Sequence, residues 1–185
     1  MKNTYIFLRH GETIKDPTIH PKEWKLTPEA LTVINKYLDL DIIKQVNYIY
    51  SSTENKSVTT LKPIATFLSK KIIEVSNFVE IGRSPKFLSD KEFLIQKKRQ
   101  LTEYQTEVDG GESAEHALNR FKEGIEQIEK THSEQMILIG THGTILSLYF
   151  ANILNQMDQT YERWSKLPFC AYGVIRNDKV EKDII

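Results

Sequence analysis

Five short runs of the chain read as strands, several of them apolar almost throughout: TYIFLR (4–9), VNYIYS (46–51), KIIEVSNF (71–78), MILIGT (136–141) and AYGVIRN (171–177). Strands covered on both faces read this way, whereas a sheet with one wet face alternates apolar with polar. The stretches between them carry helical spacing. Thr27 as cap, Pro28 at the first helical position and Glu29 near the positive end of the dipole start a helix bearing Ala30, Leu31, Ile34 and Leu38. A second helix from about Thr53 gathers Val58, Leu61, Ala65 and Leu68 on one face, and Pro63 within it predicts a kink or an early end. DGGES (109–113) supplies turn glycines and then Ser113 as a cap. After it, Ala117, Leu118, Phe121, Ile125 and Ile128 mark a long amphipathic helix. A further helix, from near Gly143, carries Ile145, Leu146, Leu148, Tyr149 and Ile153 directly behind the fourth strand. Strands alternating with helices predict an α/β fold. Between Glu80 and Gly110 the chain is polar and rich in Lys and Gln, without a strand signal. A helical insertion is expected at about 81–110, either a solvated excursion or a cover over the site.

The length of 185 residues is enough to bury a core without disulfides, so one domain over 1–185 is expected. Lys plus Arg, 25, equals Asp plus Glu, 25, which provides no overall positive field; neither nucleic acid nor an acidic membrane is expected as partner. Cys170 is the only cysteine, the first residues lack a secretory pattern, and no apolar run is long enough to cross a bilayer. A cytoplasmic protein is expected.

Two of the strands end alike, in LRHGET (8–13) and THGT (141–144). In open α/β sheets ligands bind beyond the carboxyl ends of the strands. If the first and fourth strands are neighbours, His10 and His142 face each other, and Gly11 and Gly143 let backbone N–H groups approach a ligand closely. Arg9 adds a planar fork of donors that fits phosphate oxygens and keeps its charge at neutral pH. The combination points to a small tetrahedral anion. A lone histidine is more often a satisfied polar or surface residue, and that reading is given to His20, His116 and His132. No close pair of histidines or cysteines accompanies His10 or His142, and Arg9 opposes a cation, so no metal is expected. A Gly-rich loop ending in Gly-Lys-Ser or Gly-Lys-Thr is absent.

With LRHGET and THGT in place, LTPEAL (26–31), SSTENKSVTT (51–60), VEIG (79–82), GGES (110–113) and LPFCAYGVI (167–175) follow in an order that resembles the histidine phosphatase superfamily, also called phosphoglycerate mutase-like. The resemblance implies a three-layer α/β sandwich, its mostly parallel sheet flanked by helices, and a reaction without cofactor. It assigns His10 as nucleophile, Arg9 as phosphate-binding arginine, His142 as second histidine and Glu80 as general acid. The implied chemistry is attack of neutral His10 on phosphorus, then cleavage of the phosphohistidine by water. Arg9, protonated His142 and nearby N–H groups, including that of Gly143, would stabilise the equatorial oxygens. Glu80 would need a pKa raised by burial or by other carboxylates. Glu12 and Glu112 stay outside the catalytic set: Glu12 as a carboxylate bonding nearby backbone or Arg9, Glu112 as structural.

Three positions depart from the family pattern. Lys56 holds the place of a phosphate-gripping arginine and offers charge without the fork; its other reading is a solvated helix lysine. Asp16 stands where asparagine is frequent and should repel a phosphate dianion unless protonated or turned away, or else act as an acid itself. Ala30 replaces a frequent glycine. Arg83, with Lys97, Lys98 and Arg99, is a thin basis for the carboxylate clamp of a mutase. The expected function is hydrolysis of small phosphomonoesters. A feebly active phospholigand-binding protein and a mutase-type phosphotransferase are the alternatives.

Overall fold

The computed structural model describes residues 2–82 and 88–185. Arg83 therefore lies outside the described residues. A six-stranded sheet in the order β3-β2-β4-β1-β5-β6 forms the centre. Its strands are β1 (Thr4–Arg9), β2 (Tyr48–Ser51), β3 (Ile72–Glu74), β4 (Met136–Thr141), β5 (Tyr172–Arg176) and β6 (Lys179–Lys182). The first four are mutually parallel, whereas β5 runs antiparallel to β1 and β6 antiparallel to β5. The helices are α1 (Pro28–Asn35), α2 (Asp41–Lys44), α3 (Asn55–Phe67), α4 (Asp90–Thr102), α5 (Ala114–Thr131), α6 (Gly143–Ile153) and α7 (Thr160–Lys166).

The continuous apolar character of β1 has a direct cause. Tyr5 and Phe7 point into a core shared with Phe121 of α5 and with Tyr149 and Phe150 of α6, while Ile6 and Leu8 point into a second core with Ile34 of α1 and with Leu61 and Ile64 of α3. Each such side chain, fully buried, contributes about 1.5–3 kcal/mol. Helices thus cover both faces of the sheet. Among the described residues no helix is long and apolar enough to cross a membrane.

Thr27 caps α1 as expected, its hydroxyl accepting from Ala30 N at 3.2 Å, and Ser113 caps α5 in the same way through His116 N. Other expectations need correction. Pro63 does not end its helix: α3 continues to Phe67, and burial of Leu61, Ile64 and Ala65 on both sides of the proline outweighs one missing N–H bond. The run at 71–78 is a strand only over Ile72–Glu74, after which Ser76–Phe78 turn as a 3-10 helix and bury Phe78 against α5 rather than in the sheet. The insertion contains α4, started by a reciprocal capping box between Ser89 and Glu92. Its inner face buries Gln96, Lys97 and Gln100 beside Leu101, which explains the irregular apolar pattern. The Gln100 amide satisfies itself on the carbonyls of Gly82 at 3.1 Å and Glu112 at 3.0 Å.

Candidate active site

Parallel pairing of β1 with β4 sets Arg9 opposite Thr141, so the next residue of each strand, His10 and His142, emerge side by side at the carboxyl edge. Their ring centroids are 5.1 Å apart with planes at 59°. Both are buried, His142 completely. His10 is fixed in orientation by backbone. Its Nδ1–H donates to the Gly11 carbonyl at 2.7 Å, which leaves a lone pair on Nε2. Burial, followed by the positive neighbours His142, Lys56 and Arg9, lowers its pKa well below 6.5 against the opposing pull of the Gly11 bond, so the ring is neutral at pH 7. Gly11 N donates to Thr60 Oγ1 at 2.9 Å, and that hydroxyl donates to the Lys56 carbonyl at 2.7 Å, tying the loop to α3. A Cβ on residue 11 would stand 2.7 Å from Ala30 Cβ, so a glycine is what lets the alanine of α1 pack here.

Arg9 is held by the segment before β5. Its NH1 donates to the Leu167 carbonyl and its guanidinium lies over the Phe169 ring, 4.1 Å from the centroid. Arg9 Nε is buried and makes no hydrogen bond among the described residues. Gly143 makes room for that side chain: a Cβ there would come within 2.9 Å of Arg9 Nε and 3.0 Å of Cζ. The glycine accommodates the arginine, and the N–H groups of the two residues after it already have a carboxylate partner.

That carboxylate is Glu80. Its Oε2 accepts from Thr144 N at 3.1 Å, and its Oε1 accepts from Ile145 N at 3.1 Å and from Ile81 N at 3.0 Å, so it caps the positive end of α6. Burial alone would raise its pKa. The charges of Lys97 and His142 and the N–H donors of Thr144 and Ile81 outweigh burial and hold it well below the usual carboxylate range. Glu80 is therefore ionised in the resting site, contrary to the raised pKa expected of a standing acid.

Lys56 is not a solvated helix lysine. It is 4% exposed, and its ammonium lies 2.8 Å from Glu54 Oε2 and donates to the Pro21 carbonyl at 3.3 Å. Glu54 is equally enclosed. Its Oε1 accepts from Glu80 N at 3.0 Å and lies 3.6 Å from His142 Nε2, which is within 2.6 Å of Ser52 Oγ. Asp16 is turned into its own loop: Oδ1 accepts from Thr18 N at 2.8 Å and from Thr18 Oγ1 at 2.6 Å. Those bonds lower its pKa, the hydroxyl more than the N–H, which removes it as a proton donor near neutrality. Glu12 is exposed, and Glu112 pairs with Arg120 and accepts from Gly82 N, the structural role expected. The remaining histidines have partners of their own, His20 with Lys22 N, His116 with Glu112 and His132 with Tyr50.

Outside the histidine pair a cavity of about 740 Å³ opens over Glu54 and Glu80, walled by Pro21 and Trp24 on one side and by Ile81 and Phe93 on the other. The Trp24 indole N–H donates to the Asp16 carbonyl at 2.9 Å, which fixes that wall. Sequence reasoning missed Glu54, Ser52 and Phe169. Glu54 and Ser52 sit inside the recognised SSTENK segment and Phe169 inside LPFC, so a carboxylate two residues before Lys56 was the available signal.

Two imidazoles, a guanidinium and an ammonium thus gather at the carboxyl edge of a mostly parallel sheet. The chain belongs to the histidine phosphatase superfamily (branch 1), whose family model matches residues 5–184. Among curated proteins none matches its sequence. Solved structures share its fold at low identity. A mycobacterial glucosyl-3-phosphoglycerate phosphatase is similar with TM-score 0.77 and 12% identity, 98% of each chain being covered. A phosphoserine phosphatase from Entamoeba histolytica is similar with TM-score 0.76 and 18% identity over 98% of this chain and 96% of that one. A phosphoglycerate mutase from Bacillus anthracis is similar with TM-score 0.71 and 13% identity over 98% and 92%.

Proposed function

We propose that this protein hydrolyses small phosphomonoesters through a phosphohistidine on His10. The observation that carries the reading is a neutral His10, pinned through Nδ1 to Gly11, beside His142 at 5.1 Å and next in sequence to a clamped Arg9. The Nε2 lone pair attacks phosphorus as the bond to the leaving alcohol oxygen breaks. Water then attacks phosphorus, the N–P bond breaks, and inorganic phosphate leaves with His10 neutral again. Arg9 and His142 face the oxygens on which charge accumulates. Glu80, ionised at rest, suits removal of the proton from the attacking water. A substrate bound as its monoanion brings one proton, which passes to Glu80 and is held there by the phosphoryl dianion left behind; Glu80 then gives that proton to the leaving alkoxide. The cavity of about 740 Å³ has room for a leaving group the size of a sugar acid or an amino acid.

The test is incubation with p-nitrophenyl phosphate, phosphoserine, glucosyl-3-phosphoglycerate and a panel of metabolite phosphates. Hydrolysis is expected, with an acid-labile phosphoenzyme that His10→Ala abolishes. Absence of turnover and of phosphoenzyme at every pH from acid to neutral refutes the proposal. The Lys56–Glu54 pair favours one second reading, a phospholigand-binding protein of feeble activity. Calorimetric binding that depends on Arg9, without phosphoenzyme, would decide for it.

A further inference from the structure

We infer that the Glu54 carboxylate is the resting occupant of the anion site, a built-in competitor that an incoming phosphoryl group must displace from Lys56 and His142. The inference rests on the phosphatase reading above, because it takes Lys56 and His142 as phosphate contacts. Glu54 occupies the position before α3 where a side chain would ordinarily accept from the first free N–H groups of the helix, yet it makes no such bond. It turns instead into the site. There one oxygen takes the Lys56 ammonium at 2.8 Å and the other lies 3.6 Å from His142 Nε2. Lys56 also donates to the Pro21 carbonyl at 3.3 Å, so of the three donors of an ammonium one is left for any other partner.

A carboxylate and a phosphoryl group ask for the same contacts: charge-assisted donation to oxygens carrying negative charge. They cannot share a site only 4% exposed without strong mutual repulsion, because like charges a few ångströms apart in such surroundings shift binding by about a factor of ten or more. Lys56 therefore presents phosphate with a partner already in place. Specificity follows from the same contest. A phosphoryl group gains the site more readily when its ester group adds contacts in the cavity, on whose wall Glu54 also stands. Bare orthophosphate lacks those contacts and is held weakly, which favours product release.

The experiment compares the full-length protein with Glu54→Gln, which keeps size and one acceptor oxygen and removes the charge. Orthophosphate affinity is measured by calorimetry and as inhibition of p-nitrophenyl phosphate hydrolysis. About tenfold tighter orthophosphate binding and an equal fall in KM are expected. Unchanged or weaker binding, in a variant that melts like the parent, overturns the inference while leaving the phosphatase reading intact. Orthophosphate that binds neither form overturns the inference, whereas the phosphatase reading falls only if the unaltered protein shows neither hydrolysis nor a phosphoenzyme. Should Glu54→Gln fail to fold, an orthovanadate complex of the unaltered protein replaces it. Vanadate oxygens on Lys56 with Glu54 swung away support displacement; vanadate beside His10 with the Lys56–Glu54 contact intact at 2.8 Å refutes it.

Discussion

Replacing Glu80 by Gln separates its structural work from its chemistry. In the native site two carboxylate oxygens accept from three N–H groups, Ile81 and Ile145 on Oε1 and Thr144 on Oε2. Glutamine offers a single oxygen, and whichever way its amide is turned at least one of these N–H groups faces another donor. A buried donor left unpaired costs about 1–3 kcal/mol, and removing a negative charge from a helix N-terminus costs about 0.3–2 kcal/mol more. Relief of the carboxylate's own desolvation returns part of this. A net loss of about 2–4 kcal/mol follows, which for a chain of this size lowers Tm by roughly 5–15 °C. The loss must also depend on pH. The folded pKa is depressed, so the stabilisation is full above the unfolded value of about 4.3 and fades as pH falls from there toward the folded value. Urea unfolding of parent and variant at pH 7, 5 and 3.5 measures the difference. A gap under about 0.5 kcal/mol at pH 7, or one as wide at pH 3.5 as at pH 7, would refute the account of Glu80 as an ionised cap.

Gly143→Ala places a methyl 2.9 Å from the Nε of a guanidinium already held by Leu167 and Phe169. Better helix propensity offsets part of the crowding, so Tm changes little while kcat/KM on p-nitrophenyl phosphate falls by about tenfold or more; an unchanged kcat/KM would show that Arg9 can shift without consequence. Because the pKa of His10 is lowered, the proposed nucleophile remains unprotonated as pH drops through 6.5. The acid limb of kcat/KM against pH should therefore show no loss of activity centred near 6.5, and such a loss, absent in a profile for binding alone, would contradict the neutral buried ring.

Much of the site was legible because its chemistry lies at the ends of strands that announce themselves. β1 and β4 are apolar on both faces, so His10 and His142 could each be placed at a strand's carboxyl end from pattern, while their adjacency was conditional on the pairing of β1 with β4 that the fold supplies. β6 escaped because KVEK offers one apolar side chain, partly buried, and its pairing is supplied by β5. The inner face of α4 escaped because it is built from Gln96, Lys97 and Gln100, whose burial depends on partners elsewhere in the chain. The ionisation of Glu80 depends on N–H groups from the start of α6, and the position of Glu54 depends on which way one side chain turns at the start of α3. Neither is a property of local sequence.

The grip on Arg9 comes from Leu167 and Phe169, far along the chain from the residue that they hold. A polypeptide interrupted after α6 would already own both imidazoles yet lack anything to aim its guanidinium. The proposed chemistry would thus become possible only late in synthesis, when the segment after α6 closes over what the first strand began.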